Sequence, residues 1–277
     1  MVGESGSGKS SLVRGILGLV PLDAGRVVYT GSELPLRLGD RDNMTRRGMQ
    51  LVFQDPAGSL NPQMRVADLV GEPLRIHERR LTREERRARA ADVLERTGMG
   101  QEFLDRYPHE LSGGQAQRVA IARALILKPA VLVCDEAVAA LDGTVREDTL
   151  ALLREQQQET HVAIIFITHD LAVARSISHR VLVMYLGEPV ELAPTAELYA
   201  RPKHPYTQAL LSAIPVPDPE NPGGTKTISG EAPSALSPPA GCSFHPRCPQ
   251  AEDLCRRERP RARNLGRATV SCHLAEE

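Results

Sequence analysis

A chain of 277 residues can bury one substantial core and still carry a small second module. Its net charge of −1 excludes bulk attraction to nucleic acid or to an anionic membrane, so no nucleic-acid partner is expected. The best apolar run, Val162–Ile167, is strand-sized, and the N-terminus lacks the basic-then-apolar layout of a signal peptide. The composition reads as a soluble, cytoplasmic chain.

The first element in chain order is Gly3-Glu4-Ser5-Gly6-Ser7-Gly8-Lys9-Ser10, which fits the phosphate-cradling pattern G-x-x-x-x-G-K-[ST]. Glycines let consecutive backbone N–H groups curl around an anion, the lysine adds a mobile positive charge, and the next hydroxyl can hold Mg²⁺. Gly3, Ser5, Gly6, Ser7, Gly8, Lys9, Ser10 and Ser11 are the residues of this candidate site, and a helix expected at Ser11–Gly18 points its N-terminus at the phosphates. Asp23-Ala24-Gly25 turns the chain into a strand at Arg26–Thr30. The polar segment Gly31–Arg47 reads as loop with a little helix, and Gly48–Phe53 as a strand that delivers Gln54 to a loop.

Helical spacing follows from Val66 to Gly98. Thr82 and Glu85 form a capping box, Ala88, Ala91 and Leu94 share a face, and Gly98 is placed to stop the helix. Arginines here alternate with glutamates, as on a solvated face. Leu111-Ser112-Gly113-Gly114-Gln115 precedes a helix whose Val119, Ala122 and Ile126 recur at helical spacing. Ser112 and Gln115 have capping-box spacing, but two glycines in a first turn weaken it and suit close approach of another molecule. Val131–Cys134 is a buried-type strand ending in Asp135-Glu136, where one carboxylate can hold Mg²⁺ and the other can activate water. Asp142 precedes a helix to about Gln158, and His161–Thr168 is a strand with His169 at its end. Gln54, Asp135-Glu136 and His169 thus fall at equivalent strand ends.

Past Arg180 the chain changes character. Arg180–Leu192, broken at Gly187-Glu188-Pro189, reads as a strand pair and Thr195–Ala200 as a short helix. Prolines and glycines from Pro215 mark a linker. Four of the five cysteines, Cys242, Cys248, Cys255 and Cys272, fall together near the C-terminus, which in a reducing compartment suggests a metal or cluster site more than disulfides.

Taken in order, these stretches resemble those of the ATP-binding subunits of ABC transporters. Gly3–Ser10 looks like the Walker A motif, Gln54 the Q-loop, Leu111–Gln115 the signature, Val131–Glu136 the Walker B motif, Ala139–Asp142 the D-loop and His169 the switch histidine. Ser59-Leu60-Asn61-Pro62, His204-Pro205-Tyr206-Thr207 and the cysteine-bearing end resemble the oligopeptide, dipeptide and nickel import branch. The resemblance implies an α/β P-loop NTPase core at 1–200, with a helical subdomain at about 55–125 and a small C-terminal extension at 201–277 made of a linker at about 215–241 and a cysteine module at 242–272.

It further implies ATP as substrate, Mg²⁺ arranged by Ser10, Gln54 and Asp135, water activated by Glu136, and His169 on the γ-phosphate. Ser112, Gly113, Gly114 and Gln115 would meet the ATP of a homologous subunit in a head-to-tail dimer. The dimer would sit peripherally on the cytoplasmic face of the membrane and drive permease subunits fed by an extracytoplasmic solute-binding protein, with docking at Gln54 and about Asp55–Gly98. Cargo stays open among peptides, nickel and other small solutes. For the cysteines, spaced by five, six and sixteen residues, the resemblance suggests a [4Fe–4S] cluster; structural zinc and free thiols remain alternatives.

Two departures from the family pattern stand out. Where the family writes D-E-P-T-S-A-L-D, this chain has Asp135-Glu136-Ala137-Val138-Ala139-Ala140-Leu141-Asp142, which is expected to weaken hydrogen bonding across the dimer without loss of chemistry. Only Met1 and Val2 precede Gly3, so the sequence reads as truncated before its phosphate loop, with sheet edges left unpaired and ATP binding impaired. A non-transport ABC ATPase and a non-hydrolysing structural subunit are the rival functions.

Overall fold

Short β-branched runs separated by helical segments fold as parallel strands joined by crossovers. The computed structural model describes residues 1–213, 230–231 and 233–276, so most of the expected linker lies outside the described residues. Two compact units form, Val13–Ile167 and Met1–Leu12 with Thr168–Glu277. No helix among the described residues is long and apolar enough to cross a membrane.

From helix α1 (Lys9–Ile16) the chain passes to strands β1 (Val27–Tyr29) and β2 (Ser32–Leu34), then α2 (Asn43–Gly48), β3 (Met49–Val52) and α3 (Pro56–Ser59). The segment read as loop therefore contains a strand as well as its helix. Thr30 and Gly31, at φ of 48° and 84°, make the two-residue left-handed turn that pairs β1 with β2 antiparallel. Helices α4 (Val66–His77), α5 (Arg83–Arg96) and α6 (Gly113–Leu125) pack on one another. Strand β4 (Val131–Asp135), helix α7 (Gly143–Thr160) and strand β5 (Ala163–Ile167) complete the unit.

Strands β3, β4 and β5 form one parallel sheet in that order, with Val52 opposite Cys134 and Cys134 opposite Phe166. Leu132, Val133 and Cys134 are wholly buried, as expected of a strand covered on both faces. Burial pushes the Cys134 thiol up to about 12, which makes it a core residue and not a reactive one.

Both halves of the Thr82–Glu85 capping box are present, and Gly98 at φ 71° follows the end of α5. The buried face of α5 is Ala90, Val93 and Leu94, not the expected Ala88, Ala91 and Leu94; Ala88 is exposed. Packing against α4 and α6 rotates the helix to place the larger Val93 inward. Arg87 pairs with Asp105 at 2.7 Å and Arg89 with Glu78 at 2.6 Å, exposed pairs that solvent screens and that add little to stability.

The second unit contains α8 (Leu171–Ile177), β6 (Arg180–Tyr185), β7 (Glu188–Pro194), α9 (Thr195–Ala200), α10 (Pro205–Ser212), α11 (Asp253–Arg257), β8 (Arg263–Leu265) and β9 (Ala268–Val270). Its antiparallel sheet runs β6-β7-β9-β8. The turn between β6 and β7 is Leu186-Gly187, at φ of 45° and 82°, so Glu188 and Pro189, expected in the break, are ladder residues opposite Tyr185 and Met184.

Val2 is wholly buried and bridges Val183 in parallel. Its N–H donates to Leu182 O at 2.8 Å and its carbonyl accepts from Met184 at 2.9 Å, while Met1 O accepts from Thr168 N at 3.1 Å. Met1 and Val2 are thus hydrogen-bonded just ahead of the loop, Val2 through an isolated bridge to β6.

Within this unit the Glu191 carboxylate, 1% exposed, accepts the backbone N–H groups of Lys203 and His204 at 2.9 and 3.0 Å. The His204 ring caps α10 through Nδ1, which accepts from Tyr206 N at 3.0 Å, and it also hydrogen-bonds the Ser271 backbone. Burial pulls its pKa down to about 4 from 6.5. A depressed histidine value means that the unfolded chain takes up the proton first as pH falls. The stability His204 contributes is therefore full above its unfolded value and is lost as pH falls from 6.5 to about 4, by about 3 kcal/mol in all. Urea denaturation above and below that window should show this loss, and His204→Asn should flatten it.

Candidate active site

The loop Gly3–Lys9 is pressed against β6 and its turn. Gly3, Gly6 and Gly8 have φ of 148°, 77° and 89°, in the region that favours glycine. A Cβ on Gly3 would lie 2.2 Å from the Met184 carbonyl oxygen, and one on Gly8 3.1 Å from the Gly187 Cα. Gly187 N donates to Ser7 O at 3.0 Å, so the β6–β7 turn holds the loop's far side.

Lys9, 4% exposed, lies across the loop with Nζ donating to Gly3 O at 2.8 Å, Glu4 O at 2.9 Å and Ser7 Oγ at 3.1 Å. These three bonds hold the ammonium within the curl of the loop. Ser5 and Gly6 are exposed at the loop's crest and Ser10 and Ser11 lie in the first turn of α1. Curled glycines, a lysine and a helix start together fit a polyphosphate. His169, in the same unit, is exposed just ahead of α8, whose cap Asp170 accepts from Ala172 and Val173.

In the Val13–Ile167 unit, the parallel sheet delivers the polar residues as its strand ends predict. Asp135 closes β4 and is 4% exposed. Glu136 follows at φ 48°, its N–H held by Ile167 O at 3.1 Å, and Gln54 Nε2 donates to Glu136 Oε2 at 2.8 Å. A left-handed glutamate is strained backbone, tolerated where the surrounding ladder fixes it and a side chain must be aimed. Of the apolar replacements that follow, Ala137 and Val138 are each 2% exposed and so belong to the core, while Ala139 and Ala140 are exposed.

The capping reading of Ser112 holds. Its Oγ accepts from Gln115 N at 3.3 Å, and Gln115 Oε1 accepts from Ser112 N at 2.9 Å. The two glycines separate in role. A Cβ on Gly113 would meet nothing within 4 Å, leaving the backbone open to an approaching molecule, whereas one on Gly114 would lie 2.5 Å from Val145 Cγ1. Asp142 caps α7 by accepting from Val145 N at 3.1 Å.

Cys242, Cys248, Cys255 and Cys272 are free thiols in one neighbourhood. Burial, with Cys255, Cys272 and Cys248 nearby, raises the Cys242 thiol to about 11; Cys248 and Cys272 are raised too, also chiefly by burial. Among the described residues no three His, Cys, Asp or Glu side chains gather as a metal-holding group.

Sequence reasoning missed two features. A groove of about 940 Å³ runs beside Gln54 and is lined in part by Leu19, Phe53, Ile76, His77 and Arg123; Leu19, Phe53 and Ile76 are large exposed apolar side chains. Scattered across the sequence, these residues give no periodic signal. The second is Glu4, a free position in the loop pattern, whose N–H donates to Tyr206 Oη.

A phosphate loop ahead of a helix, with acidic and amide side chains at parallel strand ends, defines a P-loop NTPase of α/β architecture. The ABC transporter family model matches residues 1–139, and the oligopeptide/dipeptide transporter C-terminal region matches 190–255. The probable peptide ABC transporter ATP-binding protein y4tS of Sinorhizobium fredii is 49% identical over 99% of this chain and 78% of its own length. The oligopeptide transport ATP-binding protein OppF of Escherichia coli is 46% identical over 98% of this chain and 82% of its own. Among solved structures, the ATP-binding cassette MJ0796, a dimer bound to ADP and Pi, superposes with a TM-score of 0.62 at 32% identity, over 70% of this chain and 83% of that one. The cbiO1 protein of Clostridium perfringens gives 0.64 at 31%, over 72% and 78%. The chain belongs to the ABC transporter family of ATP-binding proteins.

The two kinds of glycine give a direct test of the loop's packing. Gly3→Ala should lower stability by about 2 kcal/mol or more, because the Met184 carbonyl has no room to yield. Gly113→Ala should leave the thermal midpoint unchanged or slightly raised.

Proposed function

We propose that this chain is the ATP-binding and hydrolysing subunit that energises an ABC importer of peptides. The observation that carries the proposal is the Gln54–Glu136 contact at 2.8 Å, which ties a strand-end amide to a strand-end carboxylate in a chain that also carries a lysine-bearing phosphate loop. Peptide as cargo is supported by relatives named for peptide and oligopeptide transport and by the match at 190–255. In domain terms, 1–200 is the ATPase domain with its helical subdomain at about 55–125, and 201–277 is the import-branch extension.

Lys9 and the loop N–H groups neutralise the β- and γ-phosphates, and His169 contacts the γ-phosphate. Ser10, Gln54 and Asp135 would hold Mg²⁺, which would supply charge neutralisation at the phosphates. Glu136, oriented by Gln54, takes the proton of the attacking water. Ser112, Gly113, Gly114 and Gln115 face the ATP of a second ATPase subunit, as the open backbone at Gly113 permits. Permease subunits dock in the groove beside Gln54, where exposed Phe53 and Ile76 offer apolar anchors next to Arg123. The assembly is peripheral on the cytoplasmic face of the membrane, with a solute-binding protein reached through the permease.

For Cys242, Cys248, Cys255 and Cys272 the proposal is a [4Fe–4S] ligand set, supported by thiolate chemistry and by four unbridged cysteines falling within one stretch of 31 residues. No step of hydrolysis is assigned to it. Purified chain should carry about four iron and four sulfide and absorb in the visible; protein free of iron would overturn the assignment.

Glu136→Gln should cut ATP hydrolysis by about 10²-fold or more while ATP still binds. Equal hydrolysis by the variant and the parent would refute the catalytic assignment. Peptide uptake by cells carrying the chain with its permease should fall in step.

A further inference from the structure

The phosphate-loop pattern accepts any residue at the position of Glu4. Here every polar group of Glu4 is engaged. Its N–H donates to Tyr206 Oη at 3.0 Å and its carbonyl accepts from Lys9 Nζ at 2.9 Å. Its carboxylate takes a forked pair from Arg247, Nη1 to Oε2 at 2.9 Å and Nη2 to Oε1 at 3.2 Å. Both partners come from more than 200 residues downstream, beyond the expected ATPase domain.

These partners are themselves held rigidly. The Arg247 side chain is 9% exposed, with Nη1 at 3.4 Å from Tyr185 Oη and the guanidinium 5.9 Å from the centre of that ring. Tyr185, Tyr206 and Phe244, all buried, pack with ring centres 4.7 to 5.3 Å apart. Arg247 lies on the tight turn His245–Arg247, whose N–H groups bond back to Cys242 and Phe244. A forked guanidinium–carboxylate pair is among the stronger polar contacts, here with the guanidinium largely buried and the carboxylate 30% exposed, and a buried aromatic cluster leaves Tyr206 little freedom.

A glycine-rich loop has few side chains with which to fix its own shape. Disorder in such a loop must be lost when a nucleotide binds, which weakens affinity, and outside contacts that order it in advance recover that loss. We propose that Tyr206 and Arg247 are positioning residues for the nucleotide: they clamp the loop at Glu4, so that the C-terminal segment sets ATP affinity. Turnover depends on the strand-end carboxylate and amide instead. The proposal rests on the ATP-binding reading above and adds residues to it that the nucleotide motifs do not contain.

The test uses the full chain, with the KM for ATP, kcat, and hydrogen exchange of the nucleotide-free protein as readouts. Arg247→Ala and Glu4→Gln should each raise KM by about 5- to 10-fold with kcat within about twofold. Tyr206→Phe, which removes one oxygen, should act in the same direction and speed exchange at the Glu4 amide. Glu4→Ala combined with Arg247→Ala should be no worse than either alone, since both break one contact. Arg247→Lys should recover part of the affinity. If Arg247→Ala does not fold, Glu4→Gln and Tyr206→Phe decide the matter.

Folded variants with unmoved KM and unmoved loop exchange, or additive losses in the double variant, would overturn the clamp while leaving the parent an ATP-binding protein. A parent without ATP affinity would overturn both readings.

Discussion

A loop that must offer backbone N–H groups to a polyphosphate can spare few of them to hold itself together. That constraint organises the unit that contains Gly3–Lys9. The loop is braced from outside: Gly187 N holds Ser7 O, the Met184 carbonyl presses where Gly3 has no side chain, and Val2 pairs with β6 just ahead of the loop. Lys9 closes the ring from within by bonding to oxygens of its own loop. Glycine is needed at Gly3 and Gly8 less for flexibility than because the supporting backbone comes so close.

The second constraint belongs to the parallel sheet. Side chains on buried strands must be apolar, so polar chemistry can appear only where a strand ends. Registered pairing of Val52, Cys134 and Phe166 makes those ends coincide, and Gln54 and Glu136 then meet at 2.8 Å although 82 residues separate them. The strained backbone at Glu136 is the local cost of turning its carboxylate out of the strand, and the hydrogen bond to Ile167 sustains it.

Much of this was legible in the residues. The capping boxes at Thr82 and Ser112, the stop at Gly98 and the strands before Gln54, Asp135 and His169 depend on local chemistry and on period, which a sequence displays directly. What escaped were choices made by neighbours. The β1–β2 hairpin needed a left-handed Thr30, and β-branched residues rarely adopt that conformation. The rotation of α5 that buries Ala90 and exposes Ala88 was set by α4 and α6, because a helix poor in large apolar residues has no strong facial preference.

The sequence by itself determined the family and which side chains are the candidates for its chemistry, because loop curvature, charge and strand-end placement are written in short contiguous stretches. Only the tertiary structure decided what holds those stretches in shape. Glu4, Tyr206 and Arg247 come together across more than 200 residues, and the groove beside Gln54 assembles from Leu19, Phe53, Ile76 and Arg123. Contacts of that separation leave no periodic trace in a single chain. They follow from where folded elements bring their surfaces, and so become visible only once the packing is known.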